Sequence, residues 1–270
     1  MLVETKRCGR LYVDVRGKST GPTLVFWHSL LCDGGMWEPM IRKLQASYRI
    51  VNIDAPGHGR SSPTRQAYTM DHSVDAAIAV LDALAIERCA WIGLSWGGMI
   101  GMRLGLRIPE RLAGLALFDT NAGAESRRKL PSYLVMAAIA RRFGAVPALL
   151  DRIVPIYLSK HTRATQPELV QRFREHIASM DPKSVGHAVD AVIFRRLDIR
   201  ERLREIHVPT LVVVGDDDVA TPPERAEVIA AAIHGAALRR IAKGGHLSAW
   251  EQPAAALRHL EPWLETLRLR

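Results

Sequence analysis

Cysteine is scarce in this 270-residue chain. Only Cys8, Cys32 and Cys89 are present, an odd number with no CxxC pair, so neither a disulfide framework nor a cysteine-built zinc site is expected. Long apolar runs are missing as well. No stretch approaches the roughly 20 residues of a membrane span, and the start, MLVETKRCGRLYVDVRG, lacks the apolar core of a secretion signal. The expectation is a soluble, cytoplasmic protein with reduced thiols and no membrane partner. Low-complexity segments and internal repeats are also absent. The net charge of +9 would fit nucleic acid, but the basic residues are dispersed and form no known reader motif, so no nucleic-acid partner is expected.

What is present is ordinary for a globular enzyme: 48% hydrophobic and 24% charged residues, in a chain long enough for one large α/β domain or a core with an insertion. Leu11–Val15 alternates as a half-buried strand does, and Thr23–Trp27 is a continuous apolar run of strand length. Residues 36–47 read as a short helix, 48–54 as a strand, 70–85 as a helix with Val74, Ile78, Leu81 and Leu84 on one face, and 89–94 as a strand. The run Leu112–Phe118 is a further strand. The alternation then stops: 121–207 shows mainly helical patterns, for instance 134–143 and 167–179. It resumes with strands at 210–214 and 237–241 and helices over 223–233 and 253–267.

Charge is unevenly placed along this plan. Residues 121–207 hold 16 Lys/Arg against 9 Asp/Glu, and the other 183 residues hold 21 against 19. The excess either steers a substrate bearing a carboxylate or is an ordinary solvated helical surface.

The chain is organised around Gly93-Leu94-Ser95-Trp96-Gly97, an apolar strand, a sharp turn and a helix in succession. A serine on such a turn has an exposed hydroxyl, and the flanking glycines answer a backbone with no room for side chains. The helix that follows directs unpaired N–H groups and the positive end of its dipole at whatever the hydroxyl attacks. Serine needs a base, and the base an orienting acid. His246, in Gly-Gly-His after the last strand, is the candidate base; Asp218, within the trio 216–218, is the candidate acid, with Asp119 as the alternative. An oxyanion formed on attack needs two backbone N–H groups, for which Leu30 and Trp96 are the candidates.

These residues fall in motifs that resemble the α/β-hydrolase superfamily: His28-Ser29-Leu30, Asp54-x-Pro-Gly-His-Gly-x-Ser61, Gly-Leu-Ser-Trp-Gly-Gly-Met-Ile at 93–100, Gly-Asp-Asp-Asp-x-Ala-Thr-Pro-Pro at 215–223 and His-Leu-Ser-x-x-Glu-Gln-Pro at 246–253. The likeness is greatest to the 3-oxoadipate enol-lactonase and small carboxylesterase branch. It implies an α/β fold with a mostly parallel eight-stranded sheet flanked by helices, residues 1–120 and 208–270 forming the core and 121–207 a helical cap. It also implies a Ser95–His246–Asp218 triad, oxyanion groups at Leu30 and Trp96, no cofactor and no metal, and a small ester or lactone as substrate, an anionic enol-lactone among them. Cap helices are equally compatible with packing on a second subunit. Many relatives have His-Gly where this chain has His28-Ser29, and the cap departs from the enol-lactonase pattern. Cofactor-free haloperoxidases or perhydrolases and slow-turnover ligand receptors resemble the same scaffold, whereas relatives with aspartate or cysteine at the elbow do not match Ser95.

Overall fold

The apolar runs of the sequence form the middle of one eight-stranded sheet. In the computed structural model, which describes residues 1–267, the strands are β1 (Leu2–Thr5), β2 (Gly9–Gly17), β3 (Thr23–Trp27), β4 (Arg49–Ile53), β5 (Cys89–Leu94), β6 (Leu112–Phe118), β7 (Thr210–Gly215) and β8 (Ala237–Ile241). Their order across the sheet is β1-β2-β4-β3-β5-β6-β7-β8. β2 is antiparallel to both β1 and β4, and every pair from β4 to β8 is parallel. All residues of β5, β6 and β7 are buried, as befits parallel strands covered on both faces. At the far edge β8 exposes Arg239 and Arg240, charges that discourage pairing with another strand.

The chain winds from β3 outward to β4 in one direction and from β5 to β8 in the other. The carboxyl ends of β3 and β5 therefore flank the point where strand order reverses, which is where open α/β sheets form a crevice. The loop with Leu30 follows β3 and Ser95 follows β5.

Helices Glu38–Leu44, Met70–Ala83, Trp96–Arg107, Pro223–Ala232 and Pro253–Thr266 flank the sheet. Helix Met70–Ala83 buries Val74, Ala77, Val80 and Leu81, and its first turn is closed by the Thr69 hydroxyl, which accepts from the His72 N–H. Between β6 and β7 lie the helices Leu130–Phe143, Pro147–Tyr157, Lys160–Thr165, Pro167–Ser179 and Pro182–Val189, then a π-helical turn Asp190–Phe194 and a 3₁₀ turn Arg200–Glu205. No strand interrupts them among the described residues. No helix among the described residues is long and apolar enough to cross a membrane.

Two elements differ from the sequence reading. The strand β1 goes unread because only Val3 of its four residues is buried, too short a pattern to register. The helix read over 36–47 is a 3₁₀ turn Gly34–Trp37 followed by the helix Glu38–Leu44. Asp33 caps the turn by accepting from the Gly35 N–H, and Pro39 opens the helix.

Candidate active site

Ser95 sits at φ 53°, ψ −105°, in a region that L-residues avoid. Three hydrogen bonds hold it there: its N–H donates to Phe118 O (2.8 Å), and its carbonyl accepts from the Thr120 hydroxyl (2.7 Å) and the Met99 N–H (2.9 Å). The flanking glycines are spatial requirements. A Cβ at Gly93 would come 2.2 Å from the Gly97 carbonyl, and one at Gly97 would come 2.2 Å from Trp27 O. The Trp91 indole N–H donates to Gly97 O at 2.9 Å and fixes the turn from beneath.

The three side chains that the sequence singles out meet in one line. Ser95 Oγ lies 2.9 Å from His246 Nε2, and His246 Nδ1 lies 3.1 and 3.0 Å from the two oxygens of Asp218. The serine hydroxyl donates to Nε2 while the Nδ1–H donates to the carboxylate, the tautomer in which the imidazole is free to accept the serine proton. All three are buried, away from bulk water. Asp218 is itself held by Thr221, whose N–H donates to Oδ1 (2.9 Å) and whose hydroxyl donates to Oδ2 (2.8 Å).

The alternative acid, Asp119, has different partners. Its Oδ1 accepts from the Gly215 N–H (2.8 Å), and its Oδ2 meets the Ser248 hydroxyl (2.5 Å) and N–H (3.2 Å). Full burial, reinforced by the neighbouring Asp218 charge, holds its pKa well above the usual carboxylate range. Asp119 thus joins the end of β6 to the end of β7 and to the turn behind His246.

The Leu30 peptide is oriented by His28. His28 Nε2 accepts from the Ala55 N–H (2.8 Å), which leaves the proton on Nδ1, and that N–H donates to Ser29 O (2.7 Å). Burial keeps this imidazole neutral by pushing its pKa down. Because the peptide is trans, anchoring Ser29 O turns the Leu30 N–H to the opposite side. Among the described residues, neither the Leu30 nor the Trp96 N–H has a backbone or side-chain acceptor.

A buried side chain that sequence reasoning quotes only within a motif completes the frame. Glu251 accepts from the Gly245 N–H (Oε1, 2.8 Å) and from the Ser159 N–H (Oε2, 2.8 Å), tying the His246 loop to the start of helix Lys160–Thr165. Above the serine is a cavity of about 150 Å³. Its wall is mostly apolar, with Leu30, Met99, Met136, Ile153 and Val192 among the contributors, and it contains one buried ion pair, Arg196 with Glu125. No cluster of three or more His, Cys, Asp or Glu able to hold a metal occurs among the described residues.

A strained serine at the switch point of a doubly wound sheet, joined through an imidazole to a carboxylate, defines a class of α/β proteins built for hydrolysis. The chain belongs to the alpha/beta hydrolase fold family, which it matches over residues 22–253. It is 30% identical over 225 residues to 3-oxoadipate enol-lactonase 1 of Acinetobacter baylyi, covering 80% of this chain and 79% of that protein. Among solved structures it is similar to a thermophilic esterase from Thermogutta terrifontis (28% identity, TM-score 0.90, 98% of this chain and 97% of that one). It is also similar to the enol-lactonase from Burkholderia xenovorans LB400 (27%, TM-score 0.88, 95% and 96%). The resemblance to the enol-lactonase and small carboxylesterase branch thus holds at modest identity.

Proposed function

We propose that this chain hydrolyses carboxylic esters or lactones through an acyl-enzyme on Ser95. The observation that carries the reading is the unbroken relay from Ser95 Oγ through His246 (2.9 Å) to Asp218 (3.0 Å) on the floor of an apolar cavity. His246 Nε2 takes the serine proton as Oγ attacks the carbonyl carbon. The negative charge that develops on the carbonyl oxygen is met by the Leu30 and Trp96 N–H groups and by the positive end of helix Trp96–Arg107. Asp218 stabilises the imidazolium without taking its proton. Collapse expels the alcohol, protonated by His246, and leaves the acyl group on Ser95; a water activated by His246 then releases the acid. For a lactone the expelled alcohol stays tethered to the acyl group and leaves with the acid after the second step.

The helical segment 121–207 acts in this reading as a cap that walls the cavity and selects the substrate, with 1–120 and 208–270 as the catalytic core. A cytoplasmic setting is in keeping with Cys8, Cys32 and Cys89, which are free and buried. The test is steady-state hydrolysis of p-nitrophenyl esters and lactones by the wild type and Ser95→Ala. The variant should lose roughly a thousandfold or more in kcat/KM; wild-type turnover in the variant would remove Ser95 from the role.

A further inference from the structure

The Arg196–Glu125 pair has no part in the relay, yet both residues line the cavity that contains Ser95. The Arg196 side chain is 1% exposed. It is fixed at two of its nitrogens: Nε donates to Gly123 O (2.8 Å), and Nη1 donates to Val192 O (2.5 Å) and contacts Met99 Sδ (3.5 Å). Nη2 has no hydrogen-bond acceptor among the described residues; the nearest carboxylate oxygen, Glu125 Oε2, stands off at 3.6 Å, beyond hydrogen-bond reach. A guanidinium buried in an apolar wall with an unsatisfied N–H pair is costly unless an acceptor arrives to fill it.

The charge around it is not balanced by Glu125 alone. Arg103, also buried, donates to Met99 O and Leu197 O, and both Arg103 and Arg225 lie close enough to Arg196 for their charges to repel. Three guanidinium groups therefore meet two carboxylates in this corner, Glu125 beside Arg196 and Asp71 on the Arg103 side, which leaves an excess of positive charge. A neutral carbonyl would satisfy Nη2, but an anionic oxygen would also relieve the positive excess. Met99 follows Ser95 by one helical turn; its N–H donates to the serine carbonyl and its Sδ contacts Nη1, so a single residue separates the arginine from the serine on the wall of the same cavity. The π-helical turn Asp190–Phe194, a form concentrated at functional sites, precedes Arg196 and supplies Val192 O as its anchor.

We infer that Arg196 is the specificity-determining residue of the cavity, its Nη2 receiving a carboxylate carried at the far end of the acyl chain, a few bonds from the scissile carbonyl. The inference rests on the hydrolase reading for its geometry, but the recognition can be measured without turnover. Arg196 also ties Gly123 to Val192, so the readout must be a ratio that general damage to the fold would leave unmoved.

The experiment compares kcat/KM for three p-nitrophenyl esters of equal reach: the glutarate half-ester, its methyl-capped neutral form, and pentanoate. Glutarate binding to Ser95→Ala is followed in parallel by calorimetry. The expected preference for the half-ester over its capped form is roughly ten- to hundredfold, expressed mainly in KM, the scale of charge-assisted hydrogen bonds. Arg196→Met should bring that ratio to about one. Glu125→Gln, which removes the competing carboxylate and keeps the shape, should raise it by several-fold. Equal wild-type rates on the half-ester and capped ester, a preference that survives Arg196→Met, or a Glu125→Gln ratio that stays put or falls would overturn the assignment. If no ester is hydrolysed, the hydrolase reading fails, and glutarate binding to Ser95→Ala that is lost on adding Arg196→Met still decides the role of Arg196.

Discussion

Asp119 and Asp218, both buried, lie in the loops that follow neighbouring strands, and His246 Nδ1 lies within hydrogen-bond distance of Asp218, at 3.0 Å, while Asp119 binds Gly215 and Ser248 instead. The first prediction separates them. On the proposed mechanism Asp218→Asn presents an amide where the imidazole needs an acceptor, and kcat should fall by roughly a thousandfold or more. Asp119 makes no hydrogen bond to His246 and its pKa is raised by burial and by Asp218, so Asp119→Asn, whatever it costs in stability, should change kcat within about fivefold. Stability carries the sign as well. A carboxyl whose folded pKa is raised favours the folded state at low pH and loses that contribution as pH climbs from its unfolded value toward the folded one. Denaturation of the two proteins from pH 5 to 8 should show Asp119→Asn gaining on the wild type as pH rises; parallel curves would mean that Asp119 is ionised.

The elbow gives a second prediction, on folding. A methyl group at Gly97 would collide with backbone, Trp27 O at 2.2 Å, which cannot swing aside as a side chain can. Gly97→Ala should cost about 3 kcal/mol, at the upper end of overpacking penalties. Gly235→Ala is the control: its φ of +72°, in the turn closed by the Ala236 N–H on Ile233 O, is strained for alanine, but nothing lies within 4 Å, so about 1 kcal/mol is expected. Urea unfolding reads both, and similar losses would mean that the close approach at Gly97 relaxes easily.

The third prediction concerns Glu251, both of whose oxygens accept from backbone N–H groups, Gly245 on one side and Ser159 on the other. Glu251→Gln turns one oxygen into an NH₂ that faces a donor. We expect a loss of about 2 kcal/mol, the scale of a hydrogen bond to a charged group, and a lower kcat, because Gly245 directly precedes His246. Glu251→Asp, which keeps the charge but shortens the reach, should not rescue activity. A Glu251→Gln variant with wild-type melting and kcat would reduce the bridge to an incidental contact.

How far the sequence foretells this arrangement depends on where each signal is held. Strands β5, β6 and β7 are legible because two covered faces demand unbroken apolar runs. Ser95, Asp218 and His246 are legible because each follows a readable strand inside a local motif. Arg196 and Glu125 are not, since their significance arises only when the chain brings residues 71 positions apart to one wall, and a helical pattern does not mark which arginine faces inward. Glu251 lies inside a quoted motif, but its partner Ser159 is 92 residues distant. The role of His28 depends likewise on Ala55, 27 residues on.

The fourth prediction follows from the imidazoles behind the Leu30 loop. His58 packs between the rings of His28 (5.5 Å) and Trp96 (5.4 Å), with Nδ1–H donating to Pro56 O at 2.9 Å. Burial and the neighbouring His28 push its pKa down to about 3, so the folded protein keeps it neutral where the unfolded chain, near 6.5, takes up a proton. For a depressed histidine the unfolded state binds more protons across that window. Stability is therefore full above about pH 6.5 and declines as pH falls toward 3, by about 1.4 kcal/mol per unit for one site. His28, buried and neutral for the same reason, adds to the slope in the same direction. His58→Gln removes one titrating site and keeps a polar group near Pro56 O. It should be less stable than the wild type at pH 7.5, through lost packing against Trp96, yet its stability should decline less steeply between pH 6 and 4, by the slope of one proton. Chemical denaturation at half-unit pH steps measures that difference in slope. Parallel curves would show that His58 titrates in the folded protein as it does in the unfolded chain, and that this layer behind the loop is open to water.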